Sequence, residues 1–289
     1  MKEKGSVVVD SHHHFWDPAT ADYPWMTGDY EALKRPFGPS DLAPILESNG
    51  VTATVVVQAR QELGETHSLL ATASETTWIG GVVGWVDLTD PSVSETIAEL
   101  RGHPNGSKLV GIRHLVHDEA DPEWLLRDEV LRGLAAVAEA ELVYDLLVRT
   151  RELPAAIEVA RRLPDLRFVL DHLAKPRIAA RETEPWSSAI SEIARVQNVT
   201  CKVSGLVTEA DWTSWGRGDL APYIDTAVEL FGPDRLMFGS DWPVCTLAAD
   251  YSDVFSATVD ILTETAGSEL ASIFGGCAIE TYGLDLPRS

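Results

Sequence analysis

Two histidines one residue apart, His12 and His14, close an apolar run that begins at Val7, and an aspartate, Asp241, closes another apolar run near the far end of the chain, DRLMFGSDWPV. Side chains of a strand alternate between its faces, so His12 and His14 share one face and His13 turns away. Imidazole is the commonest metal ligand and a ready acid or base near neutral pH. Such a pair holds a divalent cation or polarises a water and a carbonyl, and a carboxylate brought beside it points to hydrolysis. The three consecutive histidines are followed by Phe15-Trp16-Asp17 rather than a linker, which sets them in the fold and not in a tag.

Eight short β-branched or apolar runs must carry these groups: 7–10, 53–58, 79–86, 109–113, 142–147, 167–171, 199–203 and 235–240. Longer helix-like stretches separate them. That alternation predicts an α/β chain folded as a (β/α)8 TIM-like barrel, and no Pro/Gly/Ser-rich linker divides residues 1–289 into more than one domain. Helix starts are legible at Pro39-Ser40-Asp41 and Asp90-Pro91, and Asn49-Gly50 is a C-terminal stop. No Gly-x-Gly-x-x-Gly follows the first strand and there is no Walker loop, which argues against a doubly wound nucleotide fold and against an organic cofactor.

In such a barrel the chemistry sits at the C-terminal ends of the strands. The residues found there are His12 and His14; Gln58 and Arg60; Trp85 and Asp87; Arg113 and His114, then His117; Asp145, then Arg149; Asp171 and His172, then Lys175; Lys202 and Ser204; and Asp241. Several of these and their neighbours have structural readings as well. Asp10 and Asp171 suit orienting a histidine or capping a turn. Asp145 suits anchoring Arg149 or Lys202 as well as touching substrate, and Arg60, His117 and Lys175 read as loop or rim groups. Trp16, Tyr23, Trp25, Trp212, Trp215 and Trp242 gather in the segments after strands one, seven and eight, where rings either seal the barrel top or wall a small organic ring.

Composition narrows the partners. With 45 acidic and 23 basic residues the formal charge is −22, which repels nucleic acid and anionic lipid, so no nucleic-acid or membrane partner is expected. No apolar run approaches the roughly 20 residues of a membrane span, and the start, MKEKG, leads into the first strand without a signal-peptide pattern. Cys201, Cys245 and Cys277 are widely spaced, as expected of a cytoplasmic protein without disulfides. A homo-oligomer is compatible with all of this.

Taken in order, Val9-Asp10-Ser11-His12-His13-His14-Phe15-Trp16, Gly111-Ile112-Arg113-His114, Leu170-Asp171-His172-Leu173-Ala174-Lys175-Pro176, Cys201-Lys202-Val203-Ser204-Gly205 and Phe238-Gly239-Ser240-Asp241-Trp242-Pro243 resemble the amidohydrolase superfamily, in its amidohydrolase-related branch of sugar and other carboxylic-acid lactonases. The resemblance implies a distorted barrel with its active site at the strand ends. It implies that His12 and His14 are the first-strand pair, His172 the sixth-strand histidine and Asp241 the eighth-strand aspartate. Strand four offers Arg113-His114 where two-metal members carry a carboxylate or carboxylated lysine, and strand five lacks a histidine, so a binuclear centre is not expected. A single divalent cation, zinc or manganese, on His12, His14 and Asp241, with or without His172, and a metal-free site are both open.

The implied reaction is opening of a sugar-acid lactone by water. Asp241 would serve as general base and acid, with His172, His12 and His14 stabilising the oxyanion. Lys202, Arg113 and His114 would meet substrate hydroxyls or the new carboxylate, and Trp16, Trp25, Gln58, Trp85 and Trp242 would line the small-molecule site. The alternatives are an acidic ring lactone clamped by Arg113, His117, Arg149 and Lys202; a metal-dependent decarboxylation; and a catalytically silent barrel that binds a sugar acid.

Overall fold

The computed structural model describes residues 7–286; the charged start MKEKG lies outside them. Eight parallel strands run in chain order around the sheet: β1 Val9–His13, β2 Ala53–Val57, β3 Ile79–Gly84, β4 Leu109–His114, β5 Val143–Leu146, β6 Arg167–Leu170, β7 Val199–Val203 and β8 Leu236–Phe238. Nearly every strand residue is buried, as parallel strands covered on both faces require, and this is why they read as continuous apolar runs. Between and after them lie α1 Pro39–Asn49, α2 Leu63–Glu75, α3 Val93–Gly102, α4 Asp128–Glu139, α5 Leu153–Arg162, α6 Trp186–Ala194, α7 Arg217–Phe231, α8 Tyr251–Thr265 and α9 Cys277–Tyr282. The architecture is a single sheet of a (β/α)8 barrel.

Local chemistry sets the helix ends. At α1 the Asp41 carboxylate accepts the Gly38 N–H at 2.8 Å, Pro39 supplies the first helical residue, and Gly50 closes the helix at φ +70°. The first strand differs from the sequence expectation: it starts at Val9 rather than Val7 and continues to His13, because Asp10 pairs with Thr54 and His13 with Val56. His12 and His13 therefore lie within the strand, and His14 follows directly on its end.

Closure of the barrel falls at the site. Past the end of β8, the Asp241 N–H donates to the His12 carbonyl at 2.8 Å and the His14 N–H donates to the Trp242 carbonyl at 2.7 Å. Asp10, fully buried, ties the same seam by accepting the N–H groups of Ser240 (2.9 Å) and His12 (3.1 Å) and the Tyr251 hydroxyl (3.0 Å). At the opposite end of the barrel, α9 supplies Cys277, Ala278 and Tyr282 to an interior cluster with Val55, Val143 and Val169, so the floor is plugged by the C-terminal helix.

Candidate active site

The strand alternation of β1 sends His12 and His14 into the barrel mouth, where their Nε2 atoms lie 3.2 Å apart, and sends His13 outward to the Thr54 hydroxyl at 2.8 Å. Three imidazoles face one carboxylate oxygen: Oδ1 of Asp241 is 3.4 Å from His14 Nε2, 3.8 Å from His12 Nε2 and 4.0 Å from His172 Nε2. Burial alone would raise the Asp241 carboxyl, but His172 first, with His14 and His12, holds it well below the usual carboxylate range. His172 is pulled the other way, to about 4, chiefly because burial disfavours its cation. At neutral pH the centre is an ionised carboxylate beside neutral His12 and His172, whose cations burial disfavours.

His172 reaches this centre by an uncommon route. Residues 172–175 all hold left-handed backbone, with φ of +54°, +50°, +58° and +52° for His172, Leu173, Ala174 and Lys175. Each non-glycine residue there costs about 1–2 kcal/mol. What holds the turn is visible: Leu173 and Ala174 are fully buried, Trp186 Nε1 donates to the Leu173 carbonyl at 2.7 Å, and Lys175 pairs with Glu209 at 2.8 Å. The Ser204 hydroxyl then meets His172 Nδ1 at 2.8 Å. Strained backbone of this kind persists where its surroundings over-determine it, which is characteristic of functional sites. Gly205, at φ +62°, leaves the space the ring needs, since a β-carbon there would sit 2.6 Å from His172 Nδ1.

Beneath the histidines lies a fully buried ionic layer. Arg113 bonds Asp171 at 3.0 Å and forks onto the Gln58 side chain at 2.9 and 3.1 Å. Lys202 bridges Asp145 and Asp171 (3.0 Å to the latter) and approaches His12 Nδ1 to 3.2 Å. Burial disfavours the Asp171 anion, yet Lys202, with His12 and Arg113, holds its carboxyl well below the ordinary range.

Above the centre opens a pocket of about 220 Å3. That is smaller than the roughly 300–1,000 Å3 of drug-sized sites and suits one small ring. His14, His172, Asp241, Arg113 and Trp25 of the sequence-predicted set line it, and so do His117, Arg149 and Lys175, which the sequence placed at a rim. Tyr30, Asp118 and Thr208 line it too and were missed; of these only Tyr30 carried a signal, the aromatic density after β1.

Six expected substrate contacts are corrected by their positions. Lys202 has no exposed surface and lies below His12, in the ion layer. His114 faces outward, stacked on Trp124 with ring centres 4.1 Å apart, bonded to Glu119 at 2.8 Å and to Trp85 Nε1 at 3.2 Å, so neither His114 nor Trp85 lines the pocket. Trp242 is buried against Phe15 and Phe37, and Trp16 donates to the Leu33 carbonyl at 3.1 Å while facing His14 from behind. Gln58 likewise lines no pocket; it is buried and holds Arg113.

His12, His14 and Asp241 each offer a ligand atom within 4.8 Å of the others, and His12, Asp171 and His172 form an overlapping trio. The Val57 carbonyl, which can only accept, receives a hydrogen bond from His14 Nδ1–H at 2.7 Å, so in the neutral ring Nε2 presents its lone pair toward the centre, the usual arrangement behind a metal-binding histidine. The first trio therefore fits one zinc-like ion. The Arg113 guanidinium stands 3.2 Å from His12 Nε2 and places a fixed cation at the edge of this trio.

Residues 9–284 match the amidohydrolase family model. The chain is 40% identical to an L-fucono-1,5-lactonase of Burkholderia multivorans over 98% of each chain, and 41% identical to an L-fucono-1,5-lactonase of Burkholderia ambifaria over 96% of each. Its fold matches the crystal structure of an amidohydrolase from Burkholderia multivorans with bound zinc at a TM-score of 0.91 and 39% identity, covering 96% of this chain and 99% of that one.

Proposed function

The chain belongs to the amidohydrolase family, and on that premise we propose that it is a lactonase that opens the cyclic ester of a sugar-acid lactone, with L-fucono-1,5-lactone the first candidate. The observation that carries the reading is the single Asp241 oxygen facing three imidazoles, with Asp241, His14 and His172 lining a pocket sized for one ring. Asp241, ionised at neutral pH, takes a proton from the attacking water and returns it to the departing ring alkoxide. His172, kept neutral, donates to the carbonyl oxygen as charge develops on it. Arg113 adds a fixed positive charge beside that oxygen, and Trp25 and Tyr30 wall the ring. His12, His14 and Asp241 would hold a divalent ion, whose contribution when bound is Lewis-acid polarisation and a more acidic water.

A second reading has its own support. Arg149 and Lys175 line the same pocket as His117, whose imidazole burial keeps neutral by pushing it down to about 3, and two such cations with a hydrogen-bonding ring suit a ring lactone that bears a carboxylate. The test is proton release in weak buffer on matched neutral and carboxylated lactones, before and after exhaustive chelation. Turnover of L-fucono-1,5-lactone above its carboxylated counterparts supports the first reading; the reverse preference supports the second; no turnover of any lactone rejects both. Loss on chelation with return on zinc or manganese shows that an ion is required, and His12, His14 and Asp241 are the residues placed to hold it.

A further inference from the structure

Asp145 lies one layer below the histidines, fully buried inside the barrel, and two side chains bond its carboxylate. One is Lys202, from the neighbouring side of the ion layer. The other is Tyr282, the last residue of α9, whose hydroxyl shares its single proton between both carboxylate oxygens, each at 2.9 Å. The same ring faces the Lys202 ammonium, 5.4 Å from its centre. Lys202 in turn lies 3.2 Å from His12 Nδ1 and 3.0 Å from Asp171. A continuous buried line thus joins the C-terminal helix on the barrel floor to a histidine of the centre.

We propose that Tyr282 is a positioning residue for the hydrolytic centre, acting through Asp145 and Lys202 on His12. The reading rests on the lactonase activity proposed above. Without the hydroxyl, Asp145 keeps Lys202 as its sole bonded partner, and the ammonium is drawn toward it and away from His12 Nδ1. Since Lys202 and Asp171 are what His12 Nδ1 meets, the ring loses its fixed orientation. Outer partners of this kind commonly cost about 10–100-fold when removed.

The variant to make is Tyr282→Phe, which keeps the ring beneath Lys202 and the packing of α9 and deletes only the hydroxyl. It is assayed on L-fucono-1,5-lactone from pH 5 to 9 with thermal unfolding at each pH, beside Ala278→Gly, which loosens the same helix without touching Asp145. The groups facing Asp145 are Lys202, Asp171 and Tyr282, with Arg113 at the paired position of β4 and His12 beyond Lys202. Burial already pushes its carboxyl up to about 6, and loss of a donor pushes it higher. The expected result is a kcat lowered about tenfold or more, KM within about twofold, and the acid limb of kcat moved to higher pH, with Ala278→Gly lowering Tm alone. Wild-type kcat and limb in Tyr282→Phe, or equal losses in both variants, overturn the proposal. If the wild-type protein opens no lactone, the activity reading fails and the unfolding arm decides: Tyr282→Phe must lose more stability at pH 8 than at pH 5, because the hydroxyl favours the ionised carboxylate, and a pH-independent loss overturns the proposal.

Discussion

The backbone N–H of Asp241 donates to the backbone carbonyl of His12 at 2.8 Å, so the proposed base and one of its histidines are fastened by main chain before their side chains meet. The left-handed φ of +58° at Asp241 turns the carboxylate inward from that bond. Asp241→Asn keeps the seam and removes the charge. It should lower kcat by at least about two orders of magnitude with Tm within a few degrees of wild type, measured by lactone hydrolysis and calorimetry. Turnover near the wild-type level would remove Asp241 from the mechanism.

Gly205→Ala places a β-carbon 2.6 Å from His172 Nδ1 and 3.0 Å from Asp241 Oδ2, on backbone at φ +62°. The ring must yield. Overpacking and left-handed strain together should cost about 2–4 kcal/mol of stability and at least about tenfold in kcat. A crystal structure of the variant with His172 in place and full activity would refute this.

The turn at residues 172–175 predicts an asymmetry at Ala174, which is fully buried at φ +58°. Glycine there relieves about 1 kcal/mol of backbone strain and forfeits a similar amount of methyl burial, so Ala174→Gly should unfold within about 0.5 kcal/mol of wild type. Ala174→Val adds a β-branched side chain to the same conformation and should be severely destabilised. Chemical denaturation of the pair checks both halves; equal stability would show that the turn is not the constraint.

Glu65, 6% exposed, accepts the N–H groups of Ala59 and Arg60 at 2.9 Å each, at the turn that bounds the pocket. Burial, the largest influence, pushes its carboxyl up from 4.5 to about 7. The folded state therefore holds this proton more tightly than the unfolded chain. Stability from this group is greatest below pH 4.5 and falls as pH rises to 7, by about 3 kcal/mol in total. Glu65→Gln should abolish that slope and be the more stable protein at pH 8; parallel stability curves from pH 4.5 to 8 would refute the assignment.

Much of this was legible in the chain. The buried β-branched runs gave all eight strands, and period-two alternation gave the common face of His12 and His14. The same alternation explains one error: Arg113 and His114 are adjacent on β4, so only one of them can point inward, and it is Arg113. Lys202 shows a different limit. Alternation assigns a side chain to the barrel interior but not to a depth, and Lys202 belongs one layer below the substrate. Tyr30 comes from a short 3-10 turn, Gly28–Leu33, and Thr208 from a loop, neither long enough for a period to show its aim.

The seam between the first and last strands has a consequence for how this protein fails. A barrel opens most readily where its ends meet, and here the ends meet at Asp241, His12, His14 and Trp242. Heat or denaturant that parts the two edges by a fraction of a bond length disperses the reacting groups while the remaining seven strand pairings stand. Activity should therefore be lost before the strands themselves unfold.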